Sequence, residues 1–384
     1  MTQLFASDNS APAHPALLSA LAAMPQDHAY SYGADSHTHG ASGLFAEIFG
    51  VSPGDVQILY TANGTGANVI GLSSFLAPWE GVIATHESHI TEDECGALEG
   101  LRGIKIYHRE GGDGKLTPED CRVFRAYQAN IHRNRPGAVS ITQSTELGTV
   151  YSPGEIRAIG EAAREQEMIL HVDGARLANA VAYQLRCERP GLEPGQDGFL
   201  ARGREILRQM TVDAGVSVVS LGLSKNGGMI GEVLVVFSRN LPERYASRVT
   251  RTKGGGELMR SQKQAMQLIS KTRYIACQAE TLFRDGLWLE NAWRANQAAR
   301  RLGQGIEELS RSYPQWGGGV EYPVQANGVW AVLPEAWIEP LRRDFGFYVW
   351  DEQRRVVRLM CSWDTESGLI DAFLSALGER AARG

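Results

Sequence analysis

Four short segments carry residues whose types and order could do chemistry. The first is Asn63-Gly64-Thr65-Gly66-Ala67-Asn68, small and polar, between an apolar run and a helical pattern. Small residues there let backbone N–H groups at a helix N-terminus approach a phosphate. The spacing fits neither GxGxxG nor GxxxxGK[ST], which argues against a dinucleotide fold and a P-loop. The second is His86-Glu87-Ser88-His89, followed by Glu92, Asp93 and Glu94. It lacks the HExxH spacing of a zinc helix. An aromatic imidazole stacking on a ring is the simpler role. The pair His37-Thr38-His39 could hold a metal, but polar loop-like residues surround it and no apolar strand precedes it, so no metal is expected. The third is His171-Val172-Asp173-Gly174-Ala175-Arg176, at the end of an apolar run. An acid there is costly unless paired. It is either a helix N-cap with an Arg partner or a ligand-binding group. The fourth is Ser224-Lys225-Asn226-Gly227-Gly228, after another apolar run. A lysine in such a crevice suits imine chemistry, though it could also bind an anion or snorkel to the surface.

Together these supply what pyridoxal 5'-phosphate (PLP) requires. A helix N-terminus holds the phosphate, a ring stacks on the pyridine, an acid pairs with its nitrogen, and a lysine forms the imine.

The elements that must position these groups are legible as well. Apolar, β-branched runs recur at Val56–Tyr60, Gly81–Thr85, Ile104–Tyr107, Ala138–Thr142, Met168–Val172, Val216–Leu221 and Glu232–Phe237. Helical patterns separate most of them, which predicts βαβ units and a mostly parallel seven-stranded sheet. Thr117-Pro118-Glu119-Asp120 and Ser152-Pro153-Gly154-Glu155 mark helix starts, with Pro at the first position and acids in the first turn. Residues 1–240 form the expected large domain, with 1–40 as an N-terminal arm. From residue 241 the texture changes, with a basic, glycine-rich stretch from Arg248 to Lys271 and then long helical patterns. Strands are expected at Val329–Leu333 and Val356–Met360, and a last helix from Asp364 to about Arg380. Residues 241–384 therefore read as a smaller α+β domain. Arg186–Gln209 reads as an inserted loop with a short helix.

Composition narrows the classes. The chain has 384 residues, 43% apolar and 21% charged, which is ordinary for a globular protein. Its net charge of −6 argues against nucleic acid as the main partner. No apolar stretch approaches the ~20 residues of a membrane span. The first ten residues carry no Lys or Arg and no apolar signal core follows, so a cytoplasmic location is expected. The five cysteines are an odd number without a CxxC pair, which fits a reducing compartment. All nine histidines lie between His14 and His171. Any histidine chemistry therefore belongs to the N-terminal half.

On these motifs the sequence resembles the threonine aldolase / β-eliminating lyase family, PLP enzymes with the aspartate aminotransferase-like α/β fold. The resemblance runs from Ser7-Asp8-Asn9 and Tyr32-Gly33-Ala34-Asp35 through Gly64-Thr65-Gly66-Ala67-Asn68 and Ser88-His89 with Glu94. It continues through Asp173-Gly174-Ala175-Arg176 and Ser224-Lys225-Asn226-Gly227 to Arg358-Leu359. It implies that Lys225 forms the imine, Asp173 pairs with the ring nitrogen, His89 stacks on the ring, and Gly64 and Thr65 hold the phosphate. It also implies that Arg176 and Arg358, with Ser7, bind an amino-acid carboxylate, and that the protein is a homodimer or homotetramer. The implied reaction is cleavage of a β-hydroxy-α-amino acid to glycine and an aldehyde. β-Elimination or replacement on another amino acid is the alternative. Some relatives have a histidine where this chain has Glu146. Glu146, or His89, is then the expected base, unless Glu146 only salt-bridges an Arg. The Arg186–Gln209 insertion and the Gly254–Arg260 stretch are expected to reshape the substrate mouth or a subunit interface.

Overall fold

The structure, a computed structural model, describes residues 4–249 and 256–383. All seven expected strands of the large sheet form. They are β1 (Val56–Thr61), β2 (Glu80–Thr85), β3 (Lys105–Arg109), β4 (Arg135–Thr142), β5 (Ile169–Gly174), β6 (Val218–Leu221) and β7 (Glu232–Phe237). Their order is β1-β7-β6-β5-β4-β2-β3. Pairings from β3 through β6 are parallel, and β7 alone runs against its neighbours β1 and β6. β2, β5 and β7 are buried along their whole length, as strands covered on both faces must be. β5 extends two residues beyond the expected Val172, which carries Asp173 into the strand itself.

Both expected helix starts hold. Thr117 and Ser152 close capping boxes on Asp120 and Glu155, opening helices Pro118–Arg122 and Pro153–Arg164. The second helix buries Ile156, Ile159, Ala162 and Ala163 against the sheet. Its Gly160 sits where a Cβ would lie 2.4 Å from the Ala214 carbonyl oxygen. His37-Thr38-His39 does not lie in a loop. It opens the helix Ser36–Phe49, capped by the Asp35 carboxylate on the Thr38 N–H. Residues two apart on a helix do not face each other, so this is no ligand pair.

The C-terminal region holds a four-stranded antiparallel sheet, order β10-β11-β9-β8. Its strands are β8 (Gly319–Val320), β9 (Gly328–Val332), β10 (Tyr348–Asp351) and β11 (Val356–Met360). Two of these are expected from sequence. β8 has only two residues and β10 only four, too short to register as a period. The last helix, Ser367–Ala382, starts two to three residues later than expected.

The change of texture at residue 241 and the change of core do not coincide. Ile275, Ala279, Phe283, Trp288 and Trp293 pack in the core of the large sheet, whereas Ala299, Leu302 and Ile306 pack under the small one. The helix Leu287–Ser312 therefore serves both cores. The N-terminal arm is stitched to the small sheet. The Phe5 N–H donates to the Phe345 carbonyl (3.1 Å) and the Phe5 carbonyl accepts from the Met360 N–H (2.8 Å). In the insertion, the short helix has eleven residues, Phe199–Gln209, and buries Ile206 and Leu207. Of the Gly254–Arg260 stretch, Gly254 and Gly255 lie outside the described residues.

Candidate active site

The strands of the large sheet deliver their functional residues to one end, beyond the carboxyl ends of the parallel strands, where ligands bind in open α/β sheets. Gly64, Thr65, His89, Glu146, Asp173 and Lys225 line one cavity of about 230 Å³. Three expected residues do not line it: Ser7, Arg176 and Arg358.

The phosphate end is the N-terminus of the helix Gly64–Ser73. Asn63 caps it by accepting the Gly66 N–H on its side-chain oxygen at 2.8 Å. The N–H groups of Gly64 and Thr65 point out of the first turn, where the helix dipole favours an anion.

Asp173 is the last residue but one of β5 and accepts from the Ala175 N–H (3.1 Å) and from Asn68 Nδ2 (2.8 Å). Burial alone would raise its pKa. The His89 imidazolium, the Asn68 hydrogen bond and the Lys225 charge outweigh that and hold the carboxyl below its ordinary range. An anion is therefore available to keep a ring nitrogen protonated. Two residues upstream, His171 is wholly buried, with Nδ1 2.9 Å from Ser140 Oγ and Nε2 3.1 Å from Ser220 Oγ. Burial lowers its pKa to about 4, so it underlies the site as a neutral ring.

His89 opens the short helix His89–Glu92 after β2. Its Nδ1 is 2.9 Å from Glu94 Oε1, which leaves the ring and Nε2 for the cavity. Burial works against its charge, but the Glu94 hydrogen bond and the charges of Asp173 and Glu146 prevail, so its pKa is raised. Asn68 closes this network. Its Nδ2 donates to Glu94 Oε1 and to Asp173 Oδ2, both at 2.8 Å. His89, Glu94 and Asp173 lie close enough to hold a cation, but the Asn68 amide already bridges the two carboxylates.

Arg176 follows β5 and is buried. Its Nε and Nη2 donate to the two Asp8 oxygens at 2.7 and 3.0 Å, and its Nη1 lies 4.0 Å from Glu146 Oε2. Two of its three nitrogens are therefore committed to the protein. Burial would raise the Asp8 pKa, but Arg176, Lys225 and the Asn327 hydrogen bond together lower it to about 2. Asn327 Nδ2 also donates to Asp8 (3.0 Å), tying the arm to the small sheet. Ser7 does not face the cavity. Its hydroxyl accepts the Asn9 N–H at 3.1 Å, and Asn9 is the arm residue that lines the cavity.

Arg358 lies on β11. Its guanidinium stacks over Tyr348 (5.3 Å) and Trp350 (5.5 Å), and its Nε is buried without a hydrogen-bond partner. Burial and the Arg176 charge lower its pKa, so an anion placed between the two would be held strongly. Glu146 sits in a closed turn in which the Thr145 N–H donates to the Thr149 carbonyl at 2.9 Å. Trp330 of the small sheet packs onto Gly148 of that turn, where φ is +78°.

Sequence reasoning did not assign Asn68, Glu94, Asn9, Asp8 or Glu232, although all but Glu232 fall within the quoted motifs. The partners of Asn68 and Asp8 are too distant in the chain to show, 105 positions for Asn68 and Asp173 and 168 for Asp8 and Arg176.

An anion-binding helix start, an ionised strand-end acid, an aromatic imidazole and a lysine in one cavity fit PLP group by group. With this sheet order they define a PLP-dependent enzyme of the aspartate aminotransferase-like fold. A model of the family described as beta-eliminating lyase matches residues 5–316, and the chain belongs to that family. It is 35% identical to a low specificity L-threonine aldolase of Pseudomonas aeruginosa, over 95% of this chain and 94% of that one. It is 34% identical to another of the same description from a Pseudomonas species, over 96% and 95%. Among solved structures it is similar to a threonine aldolase of Leishmania major, with TM-score 0.82 and 28% identity over 99% of both chains.

Proposed function

We propose that this enzyme cleaves the Cα–Cβ bond of a β-hydroxy-α-amino acid, such as threonine, allo-threonine or a phenylserine, to glycine and an aldehyde. The observation that carries the reading is Glu146, a carboxylate in the same cavity as Lys225 and Asp173. Elimination removes the Cα proton, which the Lys225 amine can take, and expels a leaving group from Cβ, whereas retro-aldol cleavage needs a base at the β-hydroxyl instead.

When bound, PLP supplies an electron sink for the bond that breaks. Lys225 is the amine that attaches it. Gly64 and Thr65 would hold its phosphate, and His89 would stack on its ring. Asp173 keeps a proton on the ring nitrogen. Arg358 would clamp the substrate carboxylate with its planar fork and so orient the bond to be broken. Arg176 contributes through its remaining Nη1, and Ser7 supports the arm beside it. Glu146 accepts the β-hydroxyl proton, directly or through one water, and His89 is the alternative base.

The alternative reaction, β-elimination or replacement, is separated by product. Purified enzyme with L-allo-threonine or phenylserine should release glycine and the aldehyde in equal amounts. Ammonia and a keto acid without aldehyde would overturn the aldolase reading.

All five cysteines are free, and no described helix is long and apolar enough to cross a membrane. A cytoplasmic location is consistent with that. Tyr30, Met229, Ile230 and Met266 are exposed, the second and third in the loop after Lys225. These exposed apolar groups support a homodimer or homotetramer, which light scattering would read directly.

A further inference from the structure

Glu232 has no part in the steps above. It is the first residue of β7, the strand that runs against the rest of the sheet, so it enters at the ligand end where the other strands leave. It is buried and lines the same cavity as Lys225. On one side it is paired with Thr61 of β1, two residues before Asn63 of the phosphate-binding turn. On the other, its Oε2 accepts the Leu223 N–H. The Leu223 carbonyl in turn accepts from the N–H groups of Asn226 (3.0 Å) and Gly228 (2.9 Å). Leu223 is thus held by its N–H and by its carbonyl, and the turn it anchors, Ser224–Asn226, carries Lys225. The chain reaches Glu232 through Gly231, at φ +98°, where a Cβ would lie 2.5 Å from Ile275 Cγ2.

We propose that Glu232 is the positioning residue of Lys225, fixing its turn through the Leu223 N–H and setting, by its own charge, the ionisation of the group Lys225 forms with the cofactor. This rests on Lys225 being the attaching lysine. An anchor alone needs no ionisable group, and an amide oxygen would serve. A carboxyl facing an amine adds a charge that an amide lacks.

Lys225, on the turn, is the charged group that acts on Glu232. Asp173, His89 and Glu146 line the same cavity, and Asp173 and Asp8 also act on Lys225, so these charges stay constant across the variants compared. Thr61 on β1, Ser220 on β6 and Ile275 on the helix Arg273–Arg284 carry no charge. Burial pushes the Glu232 carboxyl from its ordinary 4.5 up to about 7, against the pull of the Leu223 and Ser224 hydrogen bonds and of Lys225. Because the folded value is the higher one, ionisation costs the fold. That contribution is fully present below about pH 4.5 and is lost as pH rises through about 7.

The test is a pH titration of the visible absorbance of the holoenzyme, in wild type, Glu232→Gln and Glu232→Asp. Glu232→Gln should lower the midpoint of the band by about one pH unit, the lower end of what a neighbouring opposite charge does. Glu232→Asp keeps the charge and should stay near the wild-type midpoint, while the shortened reach speeds cofactor release. An unmoved midpoint in Glu232→Gln, or equal shifts in both variants, overturns the proposal. A second readout needs no cofactor. The stability of the apoprotein should fall between pH 5 and 8 in wild type relative to Glu232→Gln, and parallel curves contradict the assignment. If the wild type shows no visible band, the reading of Lys225 fails and this inference falls with it. A band that does not respond to Glu232→Gln sinks this inference alone.

Discussion

The two halves of the cavity are built in opposite ways. At the large sheet, the acid and the imidazole are matched within the protein. Asp173 has two donors, His89 has Glu94, and one Asn68 amide binds both carboxylates. At the small sheet, Arg358 keeps a buried Nε without a hydrogen-bond partner among the described residues and stacks on two aromatic faces. Neighbouring dipoles and charges fix the first half in advance, which is how electrostatic catalysis avoids reorganisation during reaction. An unmatched buried donor is expensive and persists where a ligand completes it. The cofactor half is thus preorganised, and the carboxylate half is completed by the substrate.

The comparison breaks most visibly at Asp173. Asp173→Asn removes the anion and turns one acceptor into a donor facing Asn68. We expect kcat to fall by ~3–4 kcal/mol of barrier, the usual cost of one preorganised electrostatic partner. Near-wild-type kcat would mean that the ring nitrogen is held elsewhere. Glu146→Gln comes next. Its loss in kcat should be roughly 10²-fold, the lower end for a general base, because the Arg176 charge 4.0 Å away makes the carboxylate a weaker base. Cofactor content should stay normal. An unchanged rate would transfer the role to His89.

How much of this is legible in the sequence follows the same division. Lys225 and Asp173 stand just beyond or at the end of apolar runs, and a charge in that position is costly without a purpose. Gly64 and Thr65 read equally well, because a helix start is a local pattern. The matching groups are not local. The Arg176–Asp8 pair spans 168 positions. It shows only in the fold that Arg176 is largely committed to another carboxylate. Glu232 reads simply as the first residue of a buried strand. Its meaning depends on β7 being antiparallel, which an apolar run does not encode. The same limit hid β8 and β10, and a local reading of polar residues turned the His37 helix into a loop.

Two smaller effects sharpen the contrast. Arg358→Lys keeps the charge but loses the fork. KM for the amino acid should rise about tenfold (~1.5 kcal/mol), with cofactor affinity unchanged. A variant that loses PLP but keeps its KM would move Arg358 to the other half of the site. Asn68→Ala should show the reverse. Two carboxylates lose their shared donor, and cofactor affinity should drop roughly fivefold (~1 kcal/mol, one net hydrogen bond) with KM little changed. Equilibrium dialysis against PLP measures it, and an unchanged Kd would show that the Asn68 bridge is dispensable.

The central claim is that Lys225 sits at the preorganised end and carries the cofactor. Borohydride reduction of the holoenzyme, followed by digestion and peptide mass mapping, tests it most directly. The pyridoxyl mass should appear on the peptide containing Lys225 and nowhere else, and Lys225→Ala should take up no label and release no aldehyde. Label on Lys253 or Lys271 in the wild type would contradict the account.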